Sequence, residues 1–251
     1  MLQQRVVLVT GISNARSLAA AAARACAAAG AQLIATWQDE RRWRGVAQVL
    51  AEVQPDALCC QLDVTRPETV ASCLAQIRER YGRLDGVLHA MAHARLGQRV
   101  LDVADEDYQQ ALAVSARSLA QVVQAAEDLL SDGSKICTLT YQGSRYMMPG
   151  YNLMGVAKAA LEASVRYLAW ELGQRQIHVN AVSAGSVRTA AASAVPGFKA
   201  RYQAAAERAP LRRNVQASEV GRAVCWLLSP FSDGITGQVI AVDAGVSSVG
   251  A

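Results

Sequence analysis

The chain reads as an α/β protein: a doubly wound parallel sheet of seven strands, within a single domain spanning residues 1–251. Three observations predict this. Short apolar runs recur at residues 5–10, 31–36, 57–62, 84–89, 135–140, 177–183 and 238–242. Helical patterns fill the intervals, and strict alternation of strand and helix builds a parallel sheet covered on both faces. No composition shift, linker or repeat divides the chain.

The first run, from Arg5 through Thr10, is unbroken, as a strand buried on both faces requires. It stops at Gly11, and a helical pattern starts at Ser17. Strand, glycine turn and helix form the first unit of a Rossmann-type dinucleotide-binding fold. The helix N-terminus offers free N–H groups and a positive dipole end to a pyrophosphate. Only Gly11 of the usual three glycines is present, with Ser13 and Ser17 where small residues are needed. A Ser17 that only caps its helix is an equal reading of these residues.

The second run ends at Gln38, Asp39 and Glu40, where such folds meet the adenosine ribose. The two acids favour NADH, the neighbouring Arg41, Arg42 and Arg44 favour NADPH, and a solvated helix start accounts for the whole cluster. NADH is the expected cofactor, with NADPH the alternative. The third run ends at Asp63 and Val64, before a helix signalled by Thr65 and Pro67. Asp63 can bond an adenine amino group or cap that helix. After the fourth run, Ala90, Ala92 and Ala94 are small enough for a cofactor to lie close. His93 stands among them, although a lone histidine is more often structural. Residues 105–130 read as one long crossover helix, followed by a turn at 131–133. An Ala- and Arg-rich insertion at 186–214 precedes a helix at 218–228.

Bulk properties narrow the function. A net charge of +4 is too mild for a nucleic-acid partner. Six cysteines without CxxC spacing, and three scattered histidines, argue against a metal site and for free buried thiols in a reducing compartment. No secretory pattern opens the chain, and the alanine-rich run at 18–29 is too short to span a bilayer. A soluble, cytoplasmic protein is expected.

Residues 151–158 carry the chemistry. On a helix opening at Tyr151 and running to about Gly173, Tyr151 and Lys158 share a face about 10 Å apart along the axis. One ligand could lie between them, and a nearby ammonium would lower the phenol's pKa. Alone, the spacing fits a half-buried amphipathic helix as well.

With Gly11, Ser17 and Leu18, the 88–94 stretch, Tyr151 with Met154 and Lys158, and the 179–189 stretch, the chain resembles the short-chain dehydrogenase/reductase superfamily over nearly its whole length. Within it, the chain is similar to the bacterial enoyl-acyl-carrier-protein reductases. Carbonyl-reducing members place a tyrosine four residues before the lysine, where this chain has Met154. In conjugate reduction, negative charge develops on the thioester oxygen two carbons beyond the β-carbon. A donor displaced almost one turn along the helix can meet it. The resemblance implies Tyr141, Tyr151 and Lys158 as catalytic residues, with Tyr151 on the enolate oxygen and Lys158 on the nicotinamide ribose. It implies dinucleotide contacts from Gly11, Ser17, Leu18, Gln38, Asp63, Val64, Ala90, Lys158, Val187 and Thr189. It implies a substrate lined by Ala92, His93, Ala94, Tyr141, Tyr151, Met154, Phe198 and Arg201, under a lid around 186–214. The implied substrate is an enoyl group on acyl carrier protein. Family members are commonly homotetramers, and the helices from Asp105 and Tyr151 are the candidate contacts.

Four departures from the family pattern concern the substrate: Ser186 for a proline, His93 for an aromatic, Arg201 for an apolar residue and Ala244 for a glycine. An enoyl-CoA or carbonyl substrate is the alternative, and a dinucleotide-binding scaffold without activity comes last.

Overall fold

The computed structural model describes residues 1–250. Its seven strands are β1 (Val6–Val9), β2 (Gln32–Trp37), β3 (Leu58–Gln61), β4 (Leu84–His89), β5 (Leu130–Thr140), β6 (His178–Ala184) and β7 (Val239–Val242). All pair in parallel in the order β3-β2-β1-β4-β5-β6-β7. The chain runs outward one way from β1 to β3, then crosses back to β4. The switch between β1 and β4 opens a crevice at the carboxyl ends of those strands, where such sheets bind ligands.

Two apolar layers hold the sheet. On one face α1 (Leu18–Ala28), α2 (Glu40–Val53) and α9 (Ala217–Leu227) bury Ala20, Ala23, Val46, Val49, Val220 and Val224 against Val7, Val9 and Leu33. Gly221 of α9 lets the α1 backbone come close, because a methyl group there would lie 2.5 Å from the Ala21 carbonyl oxygen. On the other face, α3 (Pro67–Tyr81), α5 (Ser118–Ala125) and α6 (Leu153–Leu172) cover Leu8, Val87 and Ile136. No helix among the described residues is long and apolar enough to cross a membrane.

The structure revises four expectations. The helix expected over 105–130 is α4 (Asp105–Leu112), a π turn (Ala113–Arg117) and α5, which stops at Ala125. Tertiary and local hydroxyl bonds disturb it: Ser115 Oγ donates to the His93 carbonyl and Ser118 Oγ to the Val114 carbonyl. Such back-bonding competes with the helical ladder. The expected turn at 131–133 lies inside β5, as a bulge with Gly133 at φ +80°.

Tyr151 lies outside the helix it was expected to open. Asn152, at φ +38°, separates it from α6, which begins at Leu153. The shared-face argument for Tyr151 and Lys158 therefore fails, and a turn sets their separation instead. The cysteines are not all free either. Cys60 and Cys73 form a disulfide between β3 and α3, leaving Cys26, Cys59, Cys137 and Cys225 as thiols.

The 186–214 insertion contains two helices, α7 (Ala190–Ser193) and α8 (Phe198–Arg208).

Candidate active site

At the switch crevice, Gly11 follows β1 with φ +77°, and a methyl group on it would lie 2.1 Å from the Ala90 carbonyl oxygen. The two strand ends thus meet backbone to backbone, and only glycine fits. Beside them Ser17 caps α1, its hydroxyl accepting from the Ala20 N–H. The Leu18 and Ala19 N–H groups have no acceptor among the described residues. Capping and anion binding are therefore compatible at this helix end: Ser17 satisfies one amide and two stay free for a phosphate.

Further along the same edge, the Gln38 side chain donates to Asp63 Oδ2 at 3.2 Å. Asp63 does not cap α3. Its Oδ1 accepts from the Thr65 N–H and hydroxyl, and Arg66 occupies the cap position with no side-chain bond. Burial raises the Asp63 carboxyl, but these bonds and Arg66 outweigh it and hold the group below its ordinary value. Val64 is buried beside it. Asp39 caps α2 and pairs with Arg42. Gly11, Gln38, Asp63, Val64 and Ala90 thus lie in order along the ends of β1 to β4, with the open N-terminus of α1 between them. This set fits a dinucleotide: a close-backbone floor, free amides for its phosphates and a carboxylate for its base. Val187 is buried after β6, and Thr189 caps α7 through its hydroxyl.

The reacting side is built on the 141–152 loop and α6. The Tyr141 and Tyr151 rings meet edge to face with centroids 5.2 Å apart. Tyr151 is pinned by its N–H on the Met148 carbonyl and by the Met154 N–H on its own carbonyl. Lys158 is buried on α6, and its Nζ donates to the Leu139 carbonyl at 2.8 Å. Met154 is buried four residues before it.

The ionisation states differ from the expected ones. Burial pushes the Tyr151 phenol well above its ordinary value, and the charges of Tyr141 and Glu162 push the same way. The phenol therefore keeps its proton at neutral pH. Burial lowers Lys158 from 10.5 to about 8, with Glu162 opposing.

The 186–214 segment, expected to form a lid, converges on this loop. Arg201, expected to line the substrate, donates to the Pro149 and Pro196 carbonyls at 2.6 and 2.7 Å and so ties α8 to the residues before Tyr151. Pro196 packs over Gly97 and Gly150, whose backbones are joined by the Gly97 N–H on the Gly150 carbonyl. Phe198 packs on Tyr202, ring centroids 5.6 Å apart. Ala92 and His93 are exposed and Ala94 half-buried. The His93 N–H donates to Ser115 Oγ. A groove of about 650 Å³ runs past the other flank of Tyr151, walled by Gly143, Met147, Pro149, Asn152 and Val156. It touches none of the strand-end residues and is separate from the dinucleotide crevice.

The enoyl-(acyl carrier protein) reductase family model matches residues 11–247. The chain belongs to that family. It is 40% identical to the enoyl-(acyl-carrier-protein) reductase (NADH) FabI of Rickettsia felis, over all of this chain and 97% of that one. It is 39% identical to the enoyl-(acyl-carrier-protein) reductase (NADPH) FabI of Staphylococcus aureus, over 99% and 98%. The crystal structure of the Bacillus cereus enoyl-acyl carrier protein reductase with NADP+ and indole naphthyridinone superposes with a TM-score of 0.96. It is 39% identical, and both chains are covered completely. The protein is thus an NAD(P)H-dependent enoyl-acyl-carrier-protein reductase of fatty acid synthesis.

Two buried titratable residues beside this candidate site had no role in the sequence reading. His89 is fully buried between the Thr138 and Ser118 hydroxyls, and burial with the Lys158 charge pushes it down to about 3. Glu162 is buried on α6, where both Thr140 Oγ1 and Ser144 Oγ donate to its Oε1. A signal for Glu162 exists in the sequence: it falls on the apolar face shared by Ala157, Leu161 and Val165.

Proposed function

We propose that Tyr151 is the group that stabilises the enolate oxygen in this reductase, and that Lys158 holds the nicotinamide ribose. The carrying observation is the half-buried Tyr151, its phenol set edge to face against Tyr141 and held protonated by desolvation, with buried Met154 rather than a tyrosine four residues before Lys158. The bound nicotinamide supplies the hydride. Tyr151 Oη keeps its proton and donates it in a hydrogen bond to the thioester oxygen, which strengthens as negative charge develops there. Tyr141 walls the acyl side and fixes the Tyr151 ring. Lys158, steered by the Leu139 carbonyl, presents its remaining N–H donors to the ribose hydroxyls. Gly11, Ser17, Leu18, Gln38, Asp63, Val64, Ala90, Val187 and Thr189 form the dinucleotide bed, and residues 186–214 cover the acyl chain.

The cofactor is read as NADH, because Asp39 engages Arg42 and so occupies one of the arginines that a 2′-phosphate would need. The substrate is read as carried on acyl carrier protein in the cytoplasm. Lys199 and Arg208 support this as exposed cations on the lid helix α8, which suit an acidic carrier. A homotetramer is the assembly read from α6, where Val156, Tyr167 and Trp170 are exposed along one stripe; Trp170 is 85% exposed. Light scattering of the purified protein tests that count.

Crotonyl-acyl-carrier-protein and crotonyl-CoA, each offered with NADH and with NADPH, test the whole reading through nicotinamide absorbance. Fastest turnover is expected with the carrier thioester and NADH. Faster turnover with the CoA thioester would overturn the carrier assignment, and faster turnover with NADPH the cofactor assignment.

A further inference from the structure

Glu162 is 5% exposed, one turn beyond Lys158 on the buried side of α6. A carboxylate in such a place is costly unless it is paired and hydrogen-bonded. Its partners are specific. Oε1 accepts from Thr140 Oγ1 at 2.8 Å and from Ser144 Oγ at 2.5 Å, while Oε2 faces Arg145 Nε at 3.6 Å. These three residues bracket Tyr141, so one side chain fastens both ends of the segment that carries it. The same carboxylate favours the charged form of Lys158.

We infer that Glu162 is a positioning residue of the reductase: its carboxylate locks the Tyr141 segment to α6 and serves as the counter-charge of the Lys158 ammonium. This rests on the cofactor-holding role of Lys158 proposed above. Both functions follow from one geometry. Two hydroxyls on a single oxygen fix the loop, and a negative charge four residues from the lysine balances a cation that has no other acid acting on it among the described residues. Arg145 is 60% exposed, so water weakens its claim on Glu162.

The titratable groups around the pair are few. His89 from β4 faces Lys158 and is held neutral, while Tyr141 and Tyr151 come from the loop. The Arg166 guanidinium bonds the Glu162 backbone carbonyl. From α4 and the π turn, Asp105, Glu106, Asp107, Tyr108 and Arg117 are exposed or half-buried, and β6 brings His178 at its opposite end. Glu162 is therefore the acid that opposes the desolvation of Lys158.

The test is NADH titration across pH together with steady-state turnover for Glu162→Gln, Glu162→Asp and Ser144→Ala. Glutamine keeps an acceptor for the hydroxyls but no charge. The pH at which NADH affinity falls should move down by about one unit in that variant. Aspartate should restore the pH midpoint while kcat drops, because its shorter arm misses the hydroxyls. Ser144→Ala should lower kcat several-fold with the midpoint unmoved. An unchanged midpoint in folded Glu162→Gln overturns the counter-charge role. Unchanged kcat in Ser144→Ala overturns the positioning role, and that variant serves where Glu162→Gln fails to fold. If Lys158→Ala leaves NADH affinity intact, the failure belongs to the Lys158 role and not to Glu162.

Discussion

The Tyr151 ring rests directly on the backbone of Gly143: a methyl group there would lie 2.5 Å from Tyr151 Cδ1 and 3.2 Å from Tyr141 Cδ1. Both tyrosines of the site therefore depend on one absent side chain. Gly143→Ala should push the rings apart and lower kcat by about tenfold or more, since misplacing a reacting group by about 1 Å can cost 10²-fold. NADH affinity should barely change. Steady-state kinetics beside an NADH titration separates the two.

Lys158 predicts a pH dependence. Burial lowers it to about 8, so the ammonium is present below that value and lost as pH rises through it. NADH affinity should be level at neutral pH and fall above about 8, and Lys158→Ala should weaken binding at every pH. The same shift affects stability with the opposite sign. Between about 8 and the ordinary value of 10.5, the unfolded chain binds more protons at this lysine, so its contribution to stability rises with pH. Fluorescence titration checks the first effect and denaturant unfolding across pH the second.

At the crevice, Gly11→Ala meets both a left-handed backbone and the Ala90 carbonyl. The conformational penalty alone is about 1 kcal/mol, which for a chain of this size lowers Tm by about 2–4 °C. Separating β1 from β4 adds to that, and NADH affinity should fall further than Tm suggests. Differential scanning calorimetry with and without NADH reads both.

Arg201 joins α8 to the loop before Tyr151 through the Pro149 carbonyl and bonds the Pro196 carbonyl as well. Arg201→Ala should loosen α8, raise KM for a long enoyl thioester several-fold and leave NADH affinity unchanged. Limited proteolysis should then cut within 186–214 sooner than in the unsubstituted protein.

Much of this architecture is legible in the sequence because strands buried on both faces must be apolar throughout. β4 spans the expected 84–89, and the other strand ends fall within one residue, except that β5 starts at Leu130 rather than 135. The strand-end residues Gly11, Gln38, Asp63 and Ala90 follow from that regularity. What was hidden depends on partners distant in sequence. The π turn reflects the Ser115 bond to the His93 carbonyl, across 22 residues. The helical spacing of Tyr151, Met154 and Lys158 concealed the Asn152 break, since a single left-handed residue leaves no mark on periodicity. The Tyr151 phenol was expected to be acidified by Lys158, but desolvation dominates and keeps it protonated. The place of Glu162 on the apolar face of α6 marks it as unusual, but its role shows only once Thr140 and Ser144 are seen to donate to it.

The role proposed for the Tyr151 hydroxyl on the enolate oxygen is tested by the turnover of crotonyl-acyl-carrier-protein by Tyr151→Phe, with NADH affinity measured on the same sample. Loss of one such donor should lower kcat by about 10²–10³ while NADH binds as before. A kcat equal to that of the unsubstituted enzyme would contradict it.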